Sequence, residues 1–301
     1  MAGGEARAFG AVLCLVSAAG FGAMAIFGKL AYEDGVGTLT LLLVRFALGA
    51  LIFGAMLALS PGLRAGMTET RAVAIGLSLG AIGYATQAGL FFAALRRMDA
   101  SLLALLLYTY PAWVTLAAIA IGRERPNRRR IAALVLSSAG VVIVLAGSAA
   151  GGFDALGTAM ALGAAVAYTI YILVADRTGI SISPLALSAL VCVGATFTFT
   201  VVGLASGELD FGFEAEGWLW LGLIGVVSTA LPIATFFAGM ARVGPSTASI
   251  LSTFEPVVTV ALAYAAFSER LTVAQLGGAA LVLAAAVMLA TPARTKAAPP
   301  T

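Results

Sequence analysis

The sequence predicts an all-α integral membrane protein: ten transmembrane helices in two inverted five-helix repeats (5+5), with both termini cytoplasmic. Composition, the length of the apolar segments and an internal repeat carry this prediction. Of the 301 residues, 61% are hydrophobic and 10% are charged, and the mean hydropathy is +1.05. Soluble domains contain about 25% charged residues. The composition therefore excludes a water-soluble enzyme, a nucleic-acid-binding domain and a disordered protein.

Ten apolar segments have about the 20 residues that a helix needs to cross about 30 Å of hydrocarbon. Continuous runs of this length indicate helices rather than the alternating strands of a membrane barrel. The first segment is too long for a signal peptide and has Glu5 in its N-terminal flank, so we expect it to be retained. The segments cover 8–28, 39–59, 72–94, 101–121, 131–150, 155–175, 184–205, 217–239, 245–267 and 272–291.

Basic residues in the loops predict the orientation. Lys and Arg concentrate on the side of the N-terminus, above all in the cluster Arg123, Arg125, Arg128, Arg129 and Arg130. Such loops stay cytoplasmic, where this cluster meets anionic lipid headgroups rather than nucleic acid. We therefore expect a multi-pass protein of the cell membrane, with a disordered cytoplasmic tail over 292–301.

A sequence repeat connects the two halves of the chain. Phe91-Phe92-Ala93 recurs as Phe236-Phe237-Ala238, an offset of 145 residues that persists without gaps. The same offset relates Arg97 to Arg242, Ser101 to Ser246, Pro111 to Pro256 and Glu124-Arg125 to Glu269-Arg270. We predict one repeat over 1–150 and a second over 151–291. Because each holds an odd number of helices, the second is inverted, an arrangement typical of secondary transporters.

These repeated residues also resemble a known family. Phe254-Glu255-Pro256 with Glu269-Arg270-Leu271-Thr272 is similar to the second repeat of the EamA family of the drug/metabolite transporter superfamily. Tyr110-Pro111 through Glu124-Arg125 resembles the first repeat, although Pro126-Asn127 replaces the usual Leu-Thr. Within the family the chain is most similar to YddG-type amino-acid exporters. The resemblance spans nearly the whole chain and implies ten helices and export of small metabolites.

One carboxylate and two prolines lie in the middle of apolar segments, where a charged group is expensive. Glu255 shares a polar helix face with Ser252. Its role is either to bind a substrate ammonium group or a proton, or to hydrogen bond to a bent helix. Pro111 and Pro256 are expected to bend their helices at the site, either as gating elements or as static kinks.

Aromatic residues occur deep inside segments rather than in the interfacial belts where they are usual. Buried phenols need hydrogen-bond partners, so we predict a wet aromatic cavity for an amphipathic or aromatic solute; core packing is the alternative. Arg45 either meets a substrate carboxylate, extends to the membrane surface or pairs with a loop acid, and Lys29 is expected to extend to the surface. The predicted substrate-binding residues are Tyr84, Gln87, Tyr108, Tyr110, Trp113, Tyr168, Tyr171, Ser252 and Glu255.

The expected function is secondary active or facilitative export of small metabolites, foremost aromatic or neutral amino acids, by alternating access around a midplane cavity. Alternatives are carriers of drug-like cations or of nucleotide sugars and sugar phosphates, and a channel. With no histidine, no metal-ligand spacing and no nucleotide-binding motif, the sequence predicts no catalytic residues, metal or cofactor. The expected partners are the solute and lipid, with proton coupling left open; no nucleic acid or protein partner is expected.

Overall fold

The computed structural model describes residues 2–123, 126–148, 154–178 and 181–290, with the backbone alone at 2–4, 61, 148 and 246. The repeat residues Glu124-Arg125 and the predicted tail 292–301 lie outside the described part. Ten helices in that part are long and apolar enough to cross a membrane, as the sequence predicts. We call them spans 1 to 10: Glu5–Glu33, Thr38–Leu59, Thr70–Leu95, Ala100–Ala120, Arg128–Gly147, Ala155–Arg177, Pro184–Ser206, Ala215–Val243, Thr247–Phe267 and Val273–Ala290.

Five spans are interrupted, a feature that the sequence analysis anticipated only as a bend at Pro111 and Pro256. The helical segments in chain order are Ala2–Gly22, Met24–Glu33, Thr38–Leu59, the 3-10 turn Pro61–Arg64, Thr70–Ser78, the π-helical turn Leu79–Tyr84, Ala85–Leu95, Ala100–Leu107, Tyr110–Ala120, Arg128–Ser148, Ala155–Arg177, Pro184–Ser206, Ala215–Gly225, the π-helical turn Val226–Ala230, Leu231–Val243, Pro245–Ser252, Glu255–Phe267 and Val273–Ala290.

Short connections make successive spans antiparallel. Ten is an even number, so the chain enters and leaves at the same end of the bundle. We call the end that holds the start of span 1 and the close of span 10 the terminal end, and the opposite end the far end. The most extensive packing joins span 1 to span 8, span 5 to span 10, span 3 to span 7, span 2 to span 7 and span 3 to span 6; span 4 packs on span 9.

The breaks in spans 4 and 9 come directly before a proline. Each proline is in the first turn of a new helical segment, Tyr110–Ala120 or Glu255–Phe267, where its missing N–H breaks no helical bond. The chain tightens before each: the Thr109 amide bonds to the Leu106 carbonyl at 3.2 Å and the Phe254 amide to the Leu251 carbonyl at 3.1 Å. These i to i+3 bonds end the first half of each span.

Glycines let spans 5 and 10 approach each other closely. A Cβ added to Gly278 of span 10 would lie 2.6 Å from the Gly140 carbonyl oxygen of span 5, and one added to Gly140 would lie 2.7 Å from that of Gly278. Close backbone approach at small residues is the usual way in which membrane helices associate, because lipid provides no hydrophobic drive between them. The adjacent Gly277 has nothing within 4 Å of its hypothetical Cβ.

At the far end, the start of span 8 is fixed to the loop that follows span 1. The Trp220 indole Nε1 donates to Asp34 Oδ2 at 2.8 Å, and the Trp220 ring stacks on Phe27 with centroids 6.1 Å apart. The Tyr32 hydroxyl donates to the Phe92 carbonyl at 2.9 Å and joins span 1 to span 3. These bonds occupy polar groups where the helices leave the apolar layer.

Candidate substrate-binding cavity

A cavity lies in the middle of the bundle, where the interrupted spans 4 and 9 meet spans 1, 2, 3 and 6. It has a smaller lobe of about 100 Å³ and a larger lobe of about 250 Å³. The lobes are parts of one cavity because the same six residues line both: Phe21, Tyr84, Tyr108, Tyr110, Tyr168 and Glu255.

The two helix breaks contact each other at the cavity. The Tyr108 hydroxyl, from the break in span 4, donates to the Ser252 carbonyl at the break in span 9. The same hydroxyl lies 3.4 Å from Glu255 Oε2. On the other side, the Thr259 hydroxyl donates to the Gly22 carbonyl at 2.9 Å, beside the break in span 1. Three interruptions thus surround Glu255, and their backbone groups are bonded to side chains as membrane helices require.

Five tyrosines form a continuous row of ring contacts along the wall. The centroid distances are 5.8 Å from Tyr108 to Tyr110, 4.9 Å from Tyr110 to Tyr168, 6.0 Å from Tyr168 to Tyr171 and 5.5 Å from Tyr171 to Tyr84. Most pairs meet edge to face, the geometry that aromatic rings prefer. The row joins spans 3, 4 and 6 and presents ring faces and hydroxyls to a solute.

The structure brings together all but one of the side chains proposed from the sequence. Tyr84, Tyr108, Tyr110, Tyr168 and Glu255 line both lobes, Gln87 lines the smaller lobe, and Tyr171 and Ser252 line the larger one. Trp113 is not among the lining residues. It is 39% exposed, and its indole Nε1 donates to Thr109 Oγ1 at 3.2 Å within its own helix. Pro111 and Pro256 stand beside the cavity, at the start of the second helical halves.

The sequence analysis did not assign the repeated phenylalanine pairs to the site. Phe91 lines the smaller lobe, and Phe236 and Phe237 line the larger lobe. The signal was present, because the pairs mark corresponding positions of the two predicted repeats, in spans 3 and 8. A residue pair preserved between halves that meet at the middle is a candidate for a central cavity.

Arg45 of span 2 was also left out of the predicted site. It is 3% exposed and lines the smaller lobe, so it does not extend to the surface. In the part of the chain that the structure describes, no acid forms an ion pair with it. Its Nε donates to Thr229 Oγ1 at 3.1 Å. Its guanidinium carbon lies 4.8 Å from the Phe46 ring centroid and 5.5 Å from that of Phe92. The guanidinium is therefore held between aromatic rings, a favourable setting for this cation.

A polar cluster links spans 1, 4 and 9 at the far end; we call it the far-end clasp, comprising Lys29, Asp99, Ala100, Ser101 and Glu269. Lys29 Nζ lies 2.7 Å from Glu269 Oε1 and 3.9 Å from Asp99. The backbone amides of Ala100 and Ser101 each donate to Glu269 at 3.0 Å, and the Ser101 hydroxyl donates at 2.8 Å. Lys29 is thus ion-paired rather than extended to the surface, because Glu269 caps the N-terminus of span 4 beside it.

The pKa values of the two acids in the clasp are shifted in opposite directions. Burial raises the pKa of the Glu269 carboxyl, but the bonds from Lys29 and Ser101 outweigh burial and hold that pKa below its ordinary value. The pKa of Asp99 is raised, first by burial and then by the neighbouring Glu269, against the opposing effect of Lys29. Glu269 is consequently the anion on which the clasp depends.

The cavity extends toward the terminal end. The larger lobe reaches Pro184, Leu187 and Ser188, which form the first turns of span 7 at that end. It also includes Phe46 and Thr229, which lie near the middle of spans 2 and 8. The larger lobe therefore runs from the middle of the bundle toward the terminal end.

The chemistry of the cavity lining suits the binding of a solute. Among the residues that the structure describes, no group of three His, Cys, Asp or Glu side chains could hold a metal ion. Cys14 and Cys192 are buried and free. A tyrosine wall with one carboxylate and one guanidinium offers hydrogen bonds, ring faces and charges of both signs, which suit a small polar solute.

Comparison of the amino-acid sequence with known proteins identifies the family. The sequence profile of the EamA-like transporter family matches residues 8–146 and again residues 155–291. An uncharacterised transporter of Archaeoglobus fulgidus is 31% identical over 212 residues, which are 69% of this chain and 73% of that protein. The threonine/homoserine exporter RhtA of Salmonella typhimurium is 28% identical over 218 residues, 70% of this chain and 68% of its own.

A solved crystal structure is similar in fold. It covers 91% of this chain and 95% of its own length with a TM-score of 0.62, at 19% identity. The family expected from the residues around Glu255 and Glu269 is confirmed by the two profile matches, which together span nearly the whole chain. This multi-pass membrane protein therefore belongs to the EamA-like transporter family.

Proposed function

We propose that this protein exports small amphipathic metabolites, foremost neutral or aromatic amino acids, across the cell membrane. The observation that carries the proposal is the tyrosine-lined cavity at the breaks of spans 4 and 9, with Glu255 in its wall. The similarity to a threonine/homoserine exporter supports amino acids as cargo. The small cavity and its single lining guanidinium disfavour nucleotide sugars and sugar phosphates, whose phosphates need several cations.

We propose further that residues 1–150 and 151–291 are inverted repeats around an axis in the membrane plane. The span contacts support this, because a two-fold relation between spans 1–5 and 6–10 exchanges the pair 1·8 with 3·6 and the pair 3·7 with 2·8, and it leaves 2·7, 4·9 and 5·10 unchanged; all of these pairs are in contact. The interruptions agree: spans 3 and 8 each contain a π-helical turn, and spans 4 and 9 each break before a proline. The excess of Lys and Arg in the terminal-end loops supports cytoplasmic termini.

In this orientation the cavity faces the cytoplasm. Export by alternating access requires a second state in which the terminal end closes and the far-end clasp opens. The prolines at the breaks leave backbone positions without an N–H donor, so the two half-helices can change their angle without losing a regular bond there. Solute would enter beside span 7 and leave past span 4 after Glu269 releases Lys29 and Ser101.

The proposal is tested by reconstituting the purified protein in vesicles and measuring counterflow of labelled threonine, homoserine and phenylalanine. We expect saturable uptake of at least one of them, competed by the unlabelled compound and absent from empty vesicles. Folded protein that moves none of the three, in either direction of loading, would refute amino-acid transport. Ion currents through single molecules would instead indicate a channel.

Glu255→Gln tests the acid in the cavity. Glutamine keeps the size and the hydrogen-bonding capacity toward Tyr108 but removes the charge, so a purely structural carboxylate would tolerate it. We expect the rate of counterflow to fall about tenfold, which corresponds to the loss of roughly one charge-assisted hydrogen bond. Any stimulation of counterflow by an imposed pH gradient should be lost as well. Glu216→Gln, at an exposed acid outside the cavity, is the control and should match the wild type.

Tyr110→Leu and Trp113→Leu compare two aromatic residues on the same half-helix. Tyr110 contacts Tyr108 and Tyr168 in the cavity wall, whereas Trp113 does not line the cavity. Loss of one ring face from the site should raise the half-saturation concentration about fivefold, with less than a twofold change for Trp113→Leu. Equal effects of the two variants would contradict the placement of the site on the tyrosine row.

A further inference from the structure

Arg45 carries a charge that the described chain does not balance. At 3% exposure within a membrane span it is almost fully buried, and a charged side chain in such a place is costly. Among the described residues no carboxylate forms an ion pair with it; the ion pairs there belong to Lys29, Arg97 and Arg123. An intramembrane cation without a counter-ion suggests that the missing partner is a ligand.

The geometry around Arg45 leaves its carboxylate-binding groups available. Thr229 accepts the bond from Nε, and the rings of Phe46 and Phe92 hold the guanidinium plane. The Tyr84 hydroxyl is a second hydrogen-bond partner of the guanidinium. Because a guanidinium has five N–H donors, these two contacts leave donors for a ligand. A carboxylate binds such donors through two parallel bonds.

Glu255 places the opposite charge in the same lobe. Both Arg45 and Glu255 line the smaller lobe, yet they are not paired with each other. A solute with only a negative charge would meet repulsion from Glu255, and one with only a positive charge would meet repulsion from Arg45. A solute that carries both charges complements the lobe, and such matching is what gives charged sites their specificity.

The sizes of the two lobes agree with a solute that has a charged head and a separate side chain. The smaller lobe, of about 100 Å³, holds the charged groups together with Gln87 and Tyr108. The larger lobe, of about 250 Å³, is lined by Phe236, Phe237 and Ile233 in addition to the tyrosines. Together the two lobes only just reach the range of about 300–1,000 Å³ that pockets for drug-sized ligands occupy, so this cavity suits a small molecule with a charged head and an apolar side chain.

We propose that the cavity binds zwitterions by both ends: Arg45 binds the carboxylate of an α-amino acid, Glu255 binds its ammonium group, and the larger lobe receives the side chain. This inference rests on the proposed transport of amino acids and adds the group that the substrate must retain. Arg45 thereby becomes a specificity-determining residue, and a free carboxylate becomes a requirement for binding.

The test measures binding to the purified full-length protein by calorimetry, so that it does not depend on transport. The probes are phenylalanine, its methyl ester and N-acetylphenylalanine, which present both charges, the positive charge alone and the negative charge alone. Loss of one charge-assisted interaction corresponds to a dissociation constant about 10- to 100-fold larger. We therefore expect the ester and the N-acetyl compound to bind at least about tenfold more weakly than phenylalanine.

Two variants assign the charges to residues. In Arg45→Gln we expect the affinity for phenylalanine to fall about tenfold or more, while the affinity for the methyl ester is unchanged or increased. The two compounds should then bind alike. In Glu255→Gln the same convergence should occur between phenylalanine and the N-acetyl compound. Arg71→Gln, at an exposed arginine outside the cavity, is the control and should retain the wild-type order. A purely structural role of Arg45 would weaken all three probes together.

The outcomes separate this inference from the proposed function. Wild-type protein that binds phenylalanine and its methyl ester equally overturns the role of Arg45, even if amino-acid flux is present and Arg45→Gln does not fold. The expected order of binding without counterflow supports the zwitterion site and refutes transport. Failure of the folded wild type to bind phenylalanine, threonine or homoserine overturns the zwitterion site outright.

Discussion

Gly278→Val is expected to lower the free energy of unfolding by about 3 kcal/mol, the upper part of the range for overpacking. The new Cβ would lie 2.6 Å from the Gly140 carbonyl oxygen, and backbone at a helix crossing cannot rotate away as a side chain can. Spans 5 and 10 would have to separate, and their close packing would be lost along the pair. The midpoint of thermal unfolding in detergent measures the effect, and a fall of several degrees is expected.

Gly277→Val is the matched control, because it adds the same side chain one position earlier, where nothing lies within 4 Å. The cost of placing valine in a helix is the same in both variants, so the difference between them isolates the contact with span 5. Equal midpoints for the two variants would show that spans 5 and 10 do not cross at Gly140 and Gly278.

Glu269→Ala has the second largest expected effect, because it removes the centre of the far-end clasp. It leaves Lys29 without its anion and the amides of Ala100 and Ser101 without their acceptor. Breaking a buried ion pair costs about 3–5 kcal/mol, and the partial exposure of Lys29 favours the lower value. We expect faster hydrogen exchange in residues 96–104 and a population shift toward a state open at the far end.

The control for the clasp is Asp99→Asn. Asp99 is 69% exposed and 3.9 Å from Lys29, so removing its charge should change hydrogen exchange little.

Lowering the pH provides a second test of the clasp. The folded pKa of Glu269 lies below the ordinary value, so its stabilisation is complete at neutral pH and is lost as the pH falls through that lowered pKa. Unchanged exchange in Glu269→Ala would mean that other contacts hold the far end closed.

The sequence predicts the membrane architecture well because its signals are local. A helix in lipid needs a continuous apolar segment of fixed length, so ten such segments could be counted before any packing was known. The interruptions were less accessible. Pro111 and Pro256 indicate two of them, but the break at Ala23 and the π-helical turns depend on contacts with other spans, such as that of Gly22 with the Glu255 carbonyl.

The site could be predicted only in part, because helix position alone does not define which face a residue occupies. Tyr110 and Trp113 are three residues apart on the same half-helix, yet Tyr110 lines the cavity while Trp113 is 39% exposed and does not. Residues three apart diverge by about 60° around a helix, and only the positions of the neighbouring spans determine which of them faces the cavity. Arg45 lies about 10 Å from the end of span 2 by helix rise, a depth compatible with extension to the surface. Only the positions of Thr229, Phe46 and Phe92 identify it as a cavity residue.

The locations of the tryptophans have a consequence for spectroscopy. All three, Trp113, Trp218 and Trp220, lie away from the cavity lining of the described chain, and Trp220 is hydrogen bonded to Asp34 at the far end. An indole emits at longer wavelength when its surroundings become more aqueous. A red shift of the intrinsic fluorescence on addition of a non-aromatic solute would therefore report rearrangement of the bundle, most directly around Trp220, and not contact with the ligand. The protein thus contains its own optical probe for movement at its far end.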